Sequence, residues 1–135
     1  MSSRLNPYIS FNGNAREALE YYKGVFGGEL TISTFGDFGM AEAGDKVMHG
    51  QLTTGEGYWL MGADTPPGMP YTPGNTMTVS ISGDDDNALR GYFEKLADGG
   101  NVTMPLEKQM WGDEFGQCID KFGITWLVNI GQAQA

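Results

Sequence analysis

The sequence is short of the residues that staple small proteins or ligate metals, with one cysteine and one histidine among 135 residues. A lone cysteine excludes an internal disulfide framework and suits a reducing compartment. A lone histidine excludes a two-histidine metal centre within the chain. Basic residues are also scarce: 8 Lys plus Arg against 17 Asp plus Glu leave a net charge of -9. That balance repels phosphate backbones and anionic lipid, which argues against nucleic acid and membrane surfaces as partners. No apolar run reaches the length of a membrane span, and the first residues, Met1 to Pro7, lack the apolar centre of a signal peptide. The expectation is a soluble, cytoplasmic protein.

What the sequence does contain is a repeat. At a shift of 70, Ser10, Gly13, Ala18, Leu19 and Tyr22 fall on Ser80, Gly83, Ala88, Leu89 and Tyr92. At a shift of 72, Gly27, Gly28 and Thr31 fall on Gly99, Gly100 and Thr103. Phe35-Gly36-Asp37 echoes Trp111-Gly112-Asp113, and Trp59-Leu60 echoes Trp126-Leu127 at a shift of 67. Indels between such anchors are what loops tolerate. The chain is a tandem duplication of a unit near 65 residues. A unit of that size is marginal alone, so one domain built of two modules is expected.

The first copy alternates from Leu5 to Phe11 as a half-buried strand does. Asn14 and Glu17 have capping-box spacing ahead of the stripe Ala18, Leu19, Tyr22, Val25 and Phe26, and Gly27-Gly28 ends the helix. Strands over 29–35, 46–54 and 58–62 follow, with a glycine-rich loop at 36–44 and a turn at Gly55 to Gly57. Asp64 to Asn75, rich in proline, is the expected linker between module one, about 5–63, and module two, about 76–131. The second copy restarts with alternation over Thr76 to Ser82. Asp84 to Asp86 then suit a helix N-terminus before Leu89, Tyr92, Phe93 and Leu96. Three strands over 101–110, 115–120 and 125–130 complete it, and 132–135 reads as a frayed tail.

Two βαβββ units define an α+β fold of eight strands and two main helices, in which each helix covers one face of its sheet. The apolar faces, with Ile9, Phe11, Met77, Val79, Ile81, Trp126, Val128 and Ile130, are the expected helix partners. The other faces carry Asn6, Tyr8, Ser10, His49, Gln51, Tyr58, Leu60, Thr76, Thr78, Ser80, Cys118, Thr125 and Leu127. These side chains are expected either to line a small-molecule cavity or to form a solvated sheet face.

The duplication, with NPYISFNGNAREALEYY over 6–22, VFGGEL over 25–30, LEKQMWGDEFG over 106–116 and DKFGITWLVNI over 120–130, resembles the vicinal oxygen chelate superfamily. That is the glyoxalase, bleomycin-resistance and extradiol dioxygenase group, and the chain looks most like its PhnB-like branch. The resemblance implies paired βαβββ modules curving around a cavity, a homodimer, and a small-molecule ligand or substrate. It also implies a divalent metal in glyoxalase-type members, held from the first and last strands of each module. Those positions fall at about Asn6, Leu60, Thr76 and Leu127, a set without imidazole, carboxylate or thiolate. No metal and no other cofactor is therefore expected. Members of this branch are sometimes labelled ubiquinone-pathway methyltransferases, but neither glycine-rich stretch has the strand-to-helix form of a nucleotide loop.

His49 is the candidate catalytic residue, as a general base or ligand contact, with a hydrogen-bonded strand histidine as the bland alternative. Tyr8, Ser10, Gln51, Tyr58, Thr76, Thr78, Trp111, Phe115 and Cys118 are the candidate ligand contacts. Cys118 falls on Gln51 at the shift of 67, which places it on the same face as His49. Glu107, Asp113, Glu114 and Asp120 are candidate acid partners, although Asp120 precedes a turn that an Asx side chain would cap. A non-catalytic binder and, as the alternative, a metal-dependent or His49-based lyase, isomerase or dioxygenase-type enzyme of the superfamily both remain open at this level, and with the second a divalent metal.

Overall fold

Strand β1 (Tyr8–Phe11) leads into helix α1 (Ala15–Phe26), and β2 (Glu29–Thr34), β3 (Val47–Thr53) and β4 (Trp59–Asp64) complete the first half. The second half repeats this as β5 (Thr78–Gly83), α2 (Asp86–Ala97), β6 (Asn101–Lys108), β7 (Glu114–Ile119) and β8 (Thr125–Ile130). The computed structural model describes residues 3–40 and 44–131, so the expected tail at 132–135 and residues 41–43 of the glycine-rich loop lie outside the described residues. The chain divides into two compact units, Met1–Pro73 and Gly74–Ala135.

Strand order is β1-β4-β3-β2 in one sheet and β5-β8-β7-β6 in the other. In each unit the first strand runs parallel to the last, and the remaining pairs are antiparallel. Each half thus reproduces the other's topology, and the fold is the tandem α+β arrangement that the repeat predicts.

Helix α1 lies on β2, β3 and β4 and buries Ala15, Ala18, Leu19, Tyr22 and Val25 against Phe11, Val47, Leu52 and Leu60. Helix α2 lies on its own sheet through Leu89, Phe93 and Leu96, over a core of Ile81, Cys118, Trp126, Val128 and Ile130. Each fully buried large apolar side chain stabilises its unit by about 1.5–3 kcal/mol, far more than helix propensity contributes. The small residue at Gly50 lets α1 sit close, because a Cβ there would run into Leu19 Cδ1. The glycine pairs after each helix do more than end it. A Cβ on Gly28 would strike the Thr53 carbonyl, and one on Gly100 the Ile119 carbonyl, so each chain return grazes the end of a strand.

The start of α1 departs from the expected capping box. Asn14 makes no side-chain cap bond. Asp64 takes over instead: Oδ1 accepts from the backbone N–H groups of Gly13 at 2.8 Å and Ala15 at 2.9 Å, and Oδ2 from Val47 N–H at 2.9 Å. The carboxylate is buried and shares both oxygens among three backbone donors that would otherwise be orphaned. Asp64 therefore belongs to β4 and not to the linker. At α2 the acidic run behaves as expected, with Asp85 accepting from Ala88 N–H at 3.1 Å.

Candidate functional site

The side of each sheet opposite its helix is decided by register, and here the second half of each repeat corrects the alignment. Thr54 N–H donates to the Tyr58 carbonyl and Gly57 N–H to the Thr54 carbonyl. Asp120, Ile124 and Gly123 repeat those two bonds. Thr54 therefore matches Asp120, a shift of 120 minus 54, or 66, and not the 67 that Trp59-Leu60 and Trp126-Leu127 suggest. A slip of one residue turns every side chain of a strand to the other face.

Three expected placements fall with it. Leu60 pairs with Leu52, is 6 % exposed and lies under α1. The Tyr58 ring stacks edge-on against Phe26 of α1 at 6.3 Å, on the helix side. Cys118 pairs with Trp126, is fully buried, and belongs to the core of the second unit. Burial, with Asp120 adding to it, pushes the Cys118 thiol up to about 11. It is a packed cysteine, not an activated one. The places expected for Leu60 and Cys118 are taken by Trp59 and Met61 in the first unit and by Gln117 in the second. A signal for this was present: Gly50-Gln51 and Gly116-Gln117 match at 66, as do Gly57 and Gly123.

On the helix-free face of the first sheet, Tyr8 pairs with Met61, and Met61 in turn with Gln51. His49 follows two residues from Gln51 on the same face. The Tyr8 hydroxyl lies 3.1 Å from His49 Nδ1, and the two rings are 5.6 Å apart and tilted by 33°. The two side chains thus reach across β4, which lies between their strands. A phenol donates more readily than it accepts, so we assign the hydroxyl as donating to Nδ1 and the ring proton to Nε2. Partial burial raises the Tyr8 phenol above its ordinary value, so it stays protonated at neutral pH. Gln51 Nε2 donates to Thr53 Oγ1 at 3.3 Å. Ser10 lies on the same face, paired with Ala63. Arg4 lays its guanidinium over the Trp59 ring, 3.8 Å from the ring centre.

The second unit's helix-free face carries Thr78, Ser80, Thr125, Leu127, Gln117 and Phe115 by register. Thr76 precedes β5 and is exposed, so it is not a strand residue. The Trp111 ring, in the turn between β6 and β7, meets Phe115 edge-on at 6.1 Å. The acidic candidates are engaged elsewhere. Glu114 pairs with Arg90 at 2.7 Å, and Asp113 accepts from Asn129 Nδ2 at 3.0 Å. Asp120 accepts from Phe122 and Ile124 N–H through Oδ1 and from Trp126 Nε1 through Oδ2. It is the turn cap foreseen above and not an acid partner for His49. Glu107 stands exposed on β6 opposite Phe115.

The metal positions implied by the resemblance can now be read on the right face: Asn6, Trp59 or Met61, Thr76 and Leu127. Indole, thioether, hydroxyl and alkyl groups do not hold Zn, Ni or Fe, so these residues do not fit the superfamily's usual divalent ion. Among the described residues no group of three or more His, Cys, Asp or Glu is placed to hold a metal. Nor is any described helix long and apolar enough to cross a membrane.

Two βαβββ units with this topology, and a helix-free sheet face in each, describe the Glyoxalase/Bleomycin resistance protein/Dioxygenase superfamily. The family's model matches residues 4–128, and the chain belongs to it. The chain is 38 % identical to protein PA1353 from Pseudomonas aeruginosa, whose crystal structure it matches with a TM-score of 0.88 over 98 % of this chain and all of that one. It is 25 % identical, at a TM-score of 0.74 over 96 % of this chain and all of the other, to a Bacillus cereus PhnB protein described as a putative 3-demethylubiquinone-9 3-methyltransferase. Protein YjdN of Escherichia coli (strain K12) is 26 % identical over 96 % of this chain and 97 % of its own length.

Proposed function

We propose that this chain is a small-molecule-binding, PhnB-like member of the superfamily that works as a cytoplasmic homodimer without the family's usual metal. The Tyr8–His49 pair is the polar anchor of its site. The observation that carries the reading is the convergence of Tyr8, His49 and Gln51, from two strands, beside the apolar groups Trp59 and Met61 on the face α1 leaves open. A few oriented polar groups on an apolar floor are what small-molecule sites need. Thr78, Ser80, Gln117 and Phe115 supply a similar mixture in the second unit. The methyltransferase description of the Bacillus relative is not carried over, because the glycine-rich stretches join β2 to β3 and β4 to β5 and open neither α1 nor α2.

A second reading, a metal-free lyase or isomerase with His49 as general base, needs the opposite tautomer, in which Nδ1–H donates to the Tyr8 hydroxyl and Nε2 carries the free lone pair. A thermal-shift screen of small metabolites and aromatic compounds tests the first, since a ligand of the native state raises the melting temperature. Hits are expected to lose their effect in His49→Ala and weaken in Tyr8→Phe. A set of hits indifferent to both substitutions rejects this face as the site. Lost turnover with unchanged affinity in His49→Ala selects the enzyme. Stoichiometric metal in protein purified without chelator overturns the metal-free reading.

A further inference from the structure

We infer that the ligand of the first unit's helix-free face is an organic anion, a carboxylate carried on a flat apolar body, with Arg4 as its charge partner. The inference rests on the reading of that face as the binding site. It goes beyond that reading in naming the ligand's chemistry and one residue outside every strand.

The first unit has four cations: Arg4, Arg16, Lys23 and Lys46. Arg16 and Lys46 donate to the carbonyls of Asp45 and Gly13, and Lys23 sits in the last turn of α1. Arg4 is the one that lies over the open face, 3.8 Å from the centre of the Trp59 ring. Trp59 shares that face with Met61, Gln51 and Tyr8, as the pairings Trp59 with Thr53, Met61 with Gln51 and Tyr8 with Met61 require. A guanidinium held against an indole at this distance keeps N–H groups that are able to grip a carboxylate by two bonds. No described carboxylate forms an ion pair with Arg4, whereas Arg90 in the second unit is held by both Asp86 and Glu114.

The rest of the face agrees in sign. His49 has a ring N–H to offer when Nδ1 accepts from Tyr8, and Ser10 has a hydroxyl. The acidic residue by register is Glu29, at the far edge on β2, with β3 and Thr53 between it and Trp59. In a chain of net charge -9, a face on which Arg4 and Glu29 cancel, with the cation over Trp59 and the carboxylate at the far edge, is less negative than the protein as a whole. The indole and the Met61 thioether provide apolar area for a planar body.

Shape-matched probes that differ in charge test this on the full chain: benzoate against benzamide, and phenylacetate against phenylacetamide. Binding is read by calorimetry and by the His49 and Tyr8 ring resonances in NMR titrations. Each carboxylate is expected to bind about tenfold tighter than its amide at low salt, and to lose that advantage in Arg4→Gln while the amide is unaffected. Arg4→Lys, which keeps charge but not the fork, is expected to recover only part of it. Amides that bind as tightly as the carboxylates, while moving the His49 and Tyr8 resonances, overturn the anion inference and leave the site standing. Carboxylates that bind without moving those resonances overturn both. Absence of binding by either member at millimolar concentration also rejects the inference.

Discussion

Asp64, on β4, receives the first backbone N–H of helix α1 from Ala15 at 2.9 Å across 49 positions of sequence. The same carboxylate holds Gly13 and Val47, so one buried side chain ties the helix start, the entry to β3 and the last strand together. Removing it leaves two buried donors, on Ala15 and Val47, and one part-buried donor, on Gly13, without an acceptor.

Asp64→Ala is therefore expected to destabilise the protein by about 3 kcal/mol in urea unfolding, given the strength of hydrogen bonds to a charged group and the cost of orphaned donors. Asn14→Ala, at the position that looks like the cap, should cost less than about 0.5 kcal/mol because its side chain caps nothing. A loss near 1 kcal/mol at Asn14 would show that the side chain caps the helix after all.

Gly50 and Gly100 are both forbidden a Cβ, by different neighbours. At Gly50 the obstacle is the end of the Leu19 side chain, and at Gly100 the Ile119 carbonyl. Gly50→Ala should cost about 1–3 kcal/mol and be partly relieved by Leu19→Val. Gly100→Ala meets rigid backbone and should cost more, with no single side-chain change restoring it. Equal costs for the two would contradict the close approach of the chain at Gly100.

Cys118 keeps its proton at pH values where an exposed thiol has lost it, its value raised to about 11 by burial first and by Asp120 second. Its reaction with a disulfide reagent at pH 8 should be at least about a hundredfold slower than that of a free thiol, and should recover fully in denaturant. The raised value also has a stability consequence. Below the unfolded thiol value, about 8.5, its contribution is fully present; as pH rises through the folded value the contribution is lost, because the unfolded chain releases the proton first. Cys118→Ala should show a shallower loss of stability between about pH 8.5 and 11 than the parent. Matching slopes refute the shift.

Tyr8→Phe removes the hydroxyl facing His49 Nδ1 while keeping the ring. Stability should change by less than about 1 kcal/mol, since the bond is solvent-exposed. The nitrogen chemical shifts of the imidazole should move from a predominantly Nε2–H tautomer toward a mixture. Unchanged shifts would mean that the hydroxyl does not set the tautomer.

Much of this molecule is legible in its residues, and the limit of legibility is specific. Alternation in 8–11 and 78–83, the apolar stripes of 15–26 and 86–97, and the glycine pairs that follow mark the elements and the duplication. Strand β8 falls at Thr125–Ile130, as read from the sequence. The same alternation places Tyr8, His49 and Gln51 on one face. It misplaces Leu60 and Cys118, because two aromatic-leucine pairs were matched one residue out of step and a strand's faces have a period of two. Asp64 reads as linker from the sequence because a carboxylate after a strand looks exposed until its three distant donors are known.

The amino-acid sequence by itself determined the repeat, the element order and the alternating faces, since propensity and periodicity are local properties that each segment carries with it. Only the tertiary structure decided which side of β4 and β7 lies under a helix, that Asp64 caps α1, and that the Tyr8 hydroxyl reaches His49. Those depend on the ladder register and on pairing between strands far apart in the chain, where a displacement of one residue reverses what is buried.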